Sequence, residues 1–403
     1  MTVGIILTLC ILVLLAYIFD FTSSKTKIPS VILLLALGYL VRQLCNFFGV
    51  DLLNLENILP VLGSIGLVLI VLEGSLELEL NRTKLPLIKQ SVIVACIPIF
   101  ILSFSLALAF HLIAGYPFKS GLANAIPFSI ISSSIAIPTV KNYLKSDKEF
   151  IIYESSISDI LGVILFNFVL LHTSYGAMAF GIFFMQLFVI ILVSFAATGG
   201  LSFLLSRIDH QIKFVPIIFL VILIYETSKV FDLPSLVFIL VLGLFLNNLN
   251  EIRTIRWVQF LRPKLLRREV HKFKEITVEG TFLVRALFFI VFGYSIQTGE
   301  LIDTKPLIWS LSITAAIFLV RALTLKFSGI KRSSLVFIAP RGLITILLFL
   351  SIQQPFQIPL VTRSMIIQVI ILTSLILMIG SLLNKRGNIQ NAPSAIPGGE
   401  PGA

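Results

Sequence analysis

Apolar residues fall into thirteen long runs with short polar connections between them, at roughly 3–19, 28–46, 58–73, 87–113, 118–140, 151–172, 178–206, 214–230, 234–248, 278–297, 306–325, 333–353 and 364–384. Runs of about 20 residues match the hydrocarbon thickness of a bilayer when coiled as helices. Only helices or closed barrels satisfy the backbone in lipid, and these runs lack the alternation of barrel strands. The pattern predicts an all-α integral membrane protein with about thirteen transmembrane helices. Composition agrees: 57% of the 403 residues are hydrophobic and 13% charged, which leaves no stretch for a soluble domain.

The charges sit between the runs, unevenly. The connections after odd-numbered runs carry most of the 31 lysines and arginines, among them Lys25, Lys27, Arg82, Lys84, Lys141, Lys145, Arg207, Lys326 and Arg386. Those after even-numbered runs hold little beyond Arg42, Lys119, Lys305 and Arg363. The positive-inside rule then places the N-terminus outside and the C-terminus in the cytoplasm. The same asymmetry accounts for the net charge of +11 without a nucleic-acid partner. The first run starts at Val3 with no basic leader, so it reads as a retained helix. The connection 250–275 reads as a basic amphipathic helix around Trp257, Phe260 and Leu265, lying on the anionic leaflet. Residues 1–387 form the transmembrane unit, and 388–403, rich in Pro, Gly and Ala, form a disordered tail.

Polar residues inside the runs are rarer and more informative. Ser132, Ser133 and Ser134 interrupt the fifth run, followed by Pro138; Glu154, Ser155, Ser158 and Asp159 lie within the sixth. An ionisable residue at such depth marks a functional site by default. Pro340, Arg341 and Gly342 break the twelfth run, seven runs after the fifth. An odd offset gives two six-helix halves of opposite orientation, each with one broken helix, the arrangement of secondary transporters. Carbonyls and helix ends freed at the breaks become available to an ion.

A bare monovalent cation in a membrane needs oxygen ligands and a compensating charge. Asp159 supplies the charge and Ser155, four residues earlier, shares its helix face. The serines of the fifth run complete the candidate shell. A carboxylate so placed carries either a proton or a cation, and that competition, with an occluding movement, suffices for exchange. A single carrier carboxylate predicts one cation per proton. Each serine has a bland alternative, a hydrogen bond to its own helix or a packing role. Glu226 and Lys229 read as a local ion pair. Three cysteines and four histidines show no metal-ligand spacing, no nucleophile stands with a base, and no phosphate loop occurs, so neither cofactor nor enzymatic chemistry is expected. Two other classes remain: an ion channel with the same broken helices, and a sensor or scaffold that keeps the frame without transporting.

Four motifs in order resemble one family. Glu154-Ser155-Ser156-Ile157-Ser158-Asp159, then Gly162, resembles the sixth-helix Glu-Ser-Leu-Leu-Asn-Asp of sodium–proton antiporters in the electroneutral, NhaP-like branch of the monovalent cation–proton antiporter superfamily. Leu72-Glu73-Gly74 resembles the end of its third helix, Phe292-Gly293-Tyr294 and Arg321-Ala322-Leu323 its tenth and eleventh, and Pro340-Arg341-Gly342-Leu343 the break of its twelfth. Where the family has Thr-Asp-Pro in its fifth helix this chain has Ser132-Ser133-Ser134, closer to potassium-efflux antiporters; Ser158 replaces the residue before the aspartate. The resemblance implies exchange of Na⁺ (K⁺ or Li⁺ as alternatives, and K⁺/H⁺ efflux as the second reading) for a proton by alternating access. It implies a core of helices about 87–172 and 306–384, and a dimerising scaffold of helices about 3–73 and 178–297, in a bacterial inner (cell) membrane. It also implies Glu73 as a further cation ligand and a structural ion pair between Glu154 and a buried arginine, Arg321 first, with Arg341 and Arg285 as alternatives.

Overall fold

The computed structural model describes residues 2–49, 58–80, 82–140, 143–171, 177–207, 213–231, 233–252, 263–330 and 333–390. Helices follow the apolar runs: α1 (Thr2–Thr26), α2 (Ser30–Phe48), α3 (Leu59–Ser75) and α4 (Leu85–Leu112). The fifth run is two helices, α5 (Phe118–Ser129) and α6 (Ser133–Thr139). Next come α7 (Lys145–Leu171), α8 (Ala177–Arg207), α9 (Phe214–Val230), α10 (Leu236–Asn247), α11 (Pro263–Ser295) and α12 (Leu307–Phe327). The twelfth run is a 3-10 turn, Ser333–Phe337, an irregular stretch over 338–342, and α13 (Leu343–Ser351); α14 (Arg363–Gln390) follows. Thirteen membrane segments thus stand where the hydropathy pattern put them, with the fifth and twelfth interrupted.

Proline starts several of these helices, because its missing N–H is no loss in a first turn. Pro29 and Pro117 precede α2 and α5, α3 and α4 have proline in their first two positions, and Pro306 precedes α12. Among the described residues, seven segments, the interrupted fifth counted as one, are long and apolar enough to span a bilayer alone. The 12-residue α10 is not, at roughly 18 Å against about 30 Å of hydrocarbon. Its end is instead fastened to the turn after α3. Asn248 Nδ2 donates to Leu78 O at 2.9 Å and its Oδ1 accepts from Leu80 N at 2.5 Å.

The connection 250–275 differs from expectation. From Pro263 onward it belongs to the spanning helix α11, which runs unbroken for 33 residues. Leu266, Val270 and Phe273, at one-turn spacing, are buried in the protein rather than laid on lipid. Lys213 Nζ reaches Glu269 Oε2 at 2.7 Å from the start of α9. Hydropathy hid this because the polar face of the same helix is strongly basic. Leu265 is exposed, and Trp257 and Phe260 lie outside the described residues, as does most of the 388–403 tail.

Two groups of helices pack chiefly within themselves. In one, α4 packs on α5, α7 and α12, α5 and α6 on α7, and α12 on α14; in the other, α2 and α3 pack on α11, and α3 and α8 on α10. Gly38 and Gly293 let α2 and α11 meet backbone to backbone: a Cβ on either would overlap the facing chain at Ile290 or Leu35. Large apolar side chains on α1 (Leu14, Tyr17, Phe21) and α8 (Phe184, Phe188, Leu192) face outward. α13 touches both groups, against α3 on one side and α5 and α7 on the other.

Candidate functional site: the crossing of two broken helices

The interrupted segments meet in the protein interior. α5 ends with Ile130 and Ser132 extended, so the amide of Ser132 is free to cross over, and it donates to Pro340 O at 2.9 Å. The break strips the last carbonyls of α5 of their helical donors. Arg341 replaces them: Nε donates to Phe128 O at 2.6 Å and Nη2, more weakly, to Ser129 O at 3.5 Å, while Nη1 takes Ala339 O at 3.1 Å. A cation at a helix C-terminus also offsets its dipole. The amide of Arg341 is held in turn by Thr373 Oγ1 of α14 at 3.2 Å. Gly342 is required by proximity, since a Cβ there would lie 2.7 Å from Ser132 Oγ and 2.8 Å from Ile135 Cδ1. The guanidinium of Arg341 is therefore committed to backbone carbonyls, which corrects its candidacy as a partner of Glu154.

Glu154 and Arg321 form a two-pronged pair, Nη1 to Oε1 at 2.6 Å and Nη2 to Oε2 at 3.1 Å, with Arg321 Nε on Leu335 O at 2.8 Å. Their side chains are 1% and 2% exposed. Both carboxylate oxygens are occupied, the strongest geometry an arginine offers.

Five residues further along α7, Asp159 is equally buried but differently served. Its Oδ2 accepts the hydroxyl of Ser133, and the backbone N–H of Ser133 at the start of α6 also points to it. Its Oδ1 is buried and accepts no hydrogen bond among the described residues. Ser158 Oγ accepts from Ile131 N at 3.0 Å, fastening the break of the fifth segment to α7. Ser132 and Ser134 share a hydroxyl hydrogen bond of 2.8 Å. Ser155 stands apart from its expected role: its hydroxyl donates to Ile151 O at 2.7 Å, the turn behind it. A serine inside a helix readily makes this bond, so sequence spacing to Asp159 did not fix its direction. The hydroxyl bonded to Asp159 is that of Ser133.

Glu73, near the end of α3, is faced by Arg285 and Thr281 of α11. Beside it, Gly74 backs onto α7 so closely that a Cβ would lie 2.8 Å from Ser156 Oγ, a second buried oxygen without a partner among the described residues. Ser156 is three residues before Asp159 and on the same face of the helix. Glu226 and Lys229 pair at 3.3 Å, away from the site. A cavity of about 380 Å³, lined by Ser64, Asn167, Tyr225 and Ser351, lies toward the N-terminal half of α3. Another of about 710 Å³, lined by Glu79, Asn248, His271 and Lys274, lies beyond its C-terminal end.

Thirteen membrane segments, two of them broken and crossing beside the buried carboxylate of Asp159, define a secondary ion transporter of the antiporter fold. The chain belongs to the sodium/hydrogen exchanger family: the family described as "Sodium/hydrogen exchanger, transmembrane" matches residues 10–385. Among solved structures, that of the sodium proton antiporter MjNhaP1 from Methanocaldococcus jannaschii at pH 8 superposes with a TM-score of 0.68 at 17% identity, over 96% of this chain and 98% of that one. An electron-microscopy structure of the same antiporter gives 0.69 at 16% identity, over 99% and 100%. No curated protein matches the sequence. The protein is a multi-pass membrane cation–proton antiporter.

Proposed function

We propose that Asp159 carries the transported cation and the proton in alternation, one for one. The observation that carries this reading is the half-satisfied carboxylate: Oδ2 is positioned by Ser133, and Oδ1 is buried with no donor among the described residues. A proton or a bare cation would complete it, and each excludes the other. Ser132, Ser133 and Ser134, Ser155, Ser158 and Glu73 are the further oxygens assigned to the shell, with Ser133 foremost. Glu154, fully used by Arg321, is assigned a structural role. The group of α4–α7 and α12–α14 is proposed to move as the core against the remaining helices, exposing the site to each cavity in turn. The remainder is proposed to dimerise, with the N-terminus outside and the C-terminus in the cytoplasm of a bacterial cell.

Na⁺ is the first choice of cation. K⁺/H⁺ efflux is the second reading, favoured by one feature, the neutral serine cluster where an aspartate would offer a harder, more charged shell. The test is proton flux in vesicles of purified protein with Na⁺, K⁺ and Li⁺ added in turn. Saturable, cation-dependent flux is expected. Conductance far above turnover rates would make it a channel, and no flux with any cation would make it a sensor or scaffold.

A further inference from the structure

Ser134 is the second residue of α6, and Pro138 stands four residues after it. Proline has no N–H, so the carbonyl of Ser134 cannot close its helical hydrogen bond. Such a freed carbonyl, next to Ser133 and its bond to Asp159, is the kind of oxygen that coordinates a bare cation. It is already occupied. Arg285 reaches across from α11, and its Nη1 donates to Ser134 O at 3.2 Å. Its Nη2 pairs with Asp20 Oδ1 of α1 at 3.1 Å, and that oxygen also accepts Ser30 Oγ of α2 at 3.2 Å. Glu73 of α3 faces the same guanidinium, with Thr281, Glu77 and Lys274 as its other neighbours. Arg285 is 8% exposed, so its charge is poorly screened.

We infer that Arg285 is an affinity-setting positioning residue: a tethered internal cation that competes with the transported one for the Ser134 carbonyl and Glu73, with Asp20 as the anchor that limits the competition. The inference rests on the assignment of Asp159 as the carrier. Its charge lowers the affinity of the site for a second cation, which keeps release fast. Removing Asp20 concentrates the guanidinium on the site, and removing the guanidinium empties it, so the two changes act in opposite directions. A merely structural bridge would be weakened alike by either change.

The experiment measures Na⁺-dependent proton flux of the purified full-length protein in liposomes, for the parent, Arg285→Gln, Arg285→Lys, Asp20→Asn and, as control, Asp159→Asn. Arg285→Gln is expected to lower the apparent KM for Na⁺ roughly tenfold. Arg285→Lys, which keeps the charge, should move it less. Asp20→Asn should raise it about threefold or more. A KM that rises in both Arg285→Gln and Asp20→Asn, or that is unmoved in either, overturns the inference. If Arg285→Gln does not fold, a raised KM in Asp20→Asn that Arg285→Lys does not share supports it, and an unchanged KM in Asp20→Asn overturns it. Retained exchange by Asp159→Asn is the separate result that removes the carrier assignment itself.

Discussion

Glu154 and Asp159 lie on one helix, five residues apart, and differ in what their oxygens hold. Glu154 spends both on Arg321, while Oδ1 of Asp159 has no donor among the described residues. Breaking the first pair strands a buried charge, so Glu154→Gln is expected to destabilise the protein by about 3–5 kcal/mol, read from thermal unfolding in detergent. The double change Glu154→Leu with Arg321→Met should cost less than either single change; equal or greater cost would remove the structural assignment. At Asp159, Ser133→Ala should raise the cation KM more than Ser155→Ala, because the Ser133 hydroxyl is the one bonded to the carboxylate while that of Ser155 turns to Ile151. The reverse order would restore Ser155 as the principal ligand. Both carboxylates were legible in the sequence, since a charge inside an apolar run must be paired or functional. Which serine serves Asp159 was not, because the break of the fifth segment, not helical spacing, aims the hydroxyls.

At the scale of elements, the two interruptions were legible from Pro138 and from Pro340-Arg341-Gly342. Their mutual support was not. Ser132 N on Pro340 O and Arg341 on Phe128 O tie segments more than two hundred residues apart in sequence, and no local pattern encodes such a pair. The length of α11 was hidden for another reason: residues 263–275 are amphipathic, and a hydropathy reading credits only the apolar remainder. Gly342→Val would drive a side chain into Ser132 and Ile135, an overpacking cost of about 1–3 kcal/mol with loss of exchange. Wild-type stability and rate in that variant would show that the crossing is looser than drawn. Arg341→Met should leave the end of α5 without its donors and abolish exchange, even where the protein still purifies.

For the whole molecule, hydropathy gave the number of segments, and charge in the connections gave their expected orientation. The outward apolar faces of α1 and α8 could meet lipid or a second copy, a choice that periodicity alone does not make. The scaffold reading predicts a dimer by native mass, and a C-terminal tag reached by protease only in inside-out vesicles. Competition at one carboxylate has a pH signature as well. The apparent cation affinity should fall about tenfold per pH unit on the acid side of the carrier's titration and level off above it. The most direct test of the account is cation-driven proton flux by purified Asp159→Asn protein in liposomes beside the parent. The account predicts a folded protein with no exchange, and full cation-dependent exchange by that variant would contradict it.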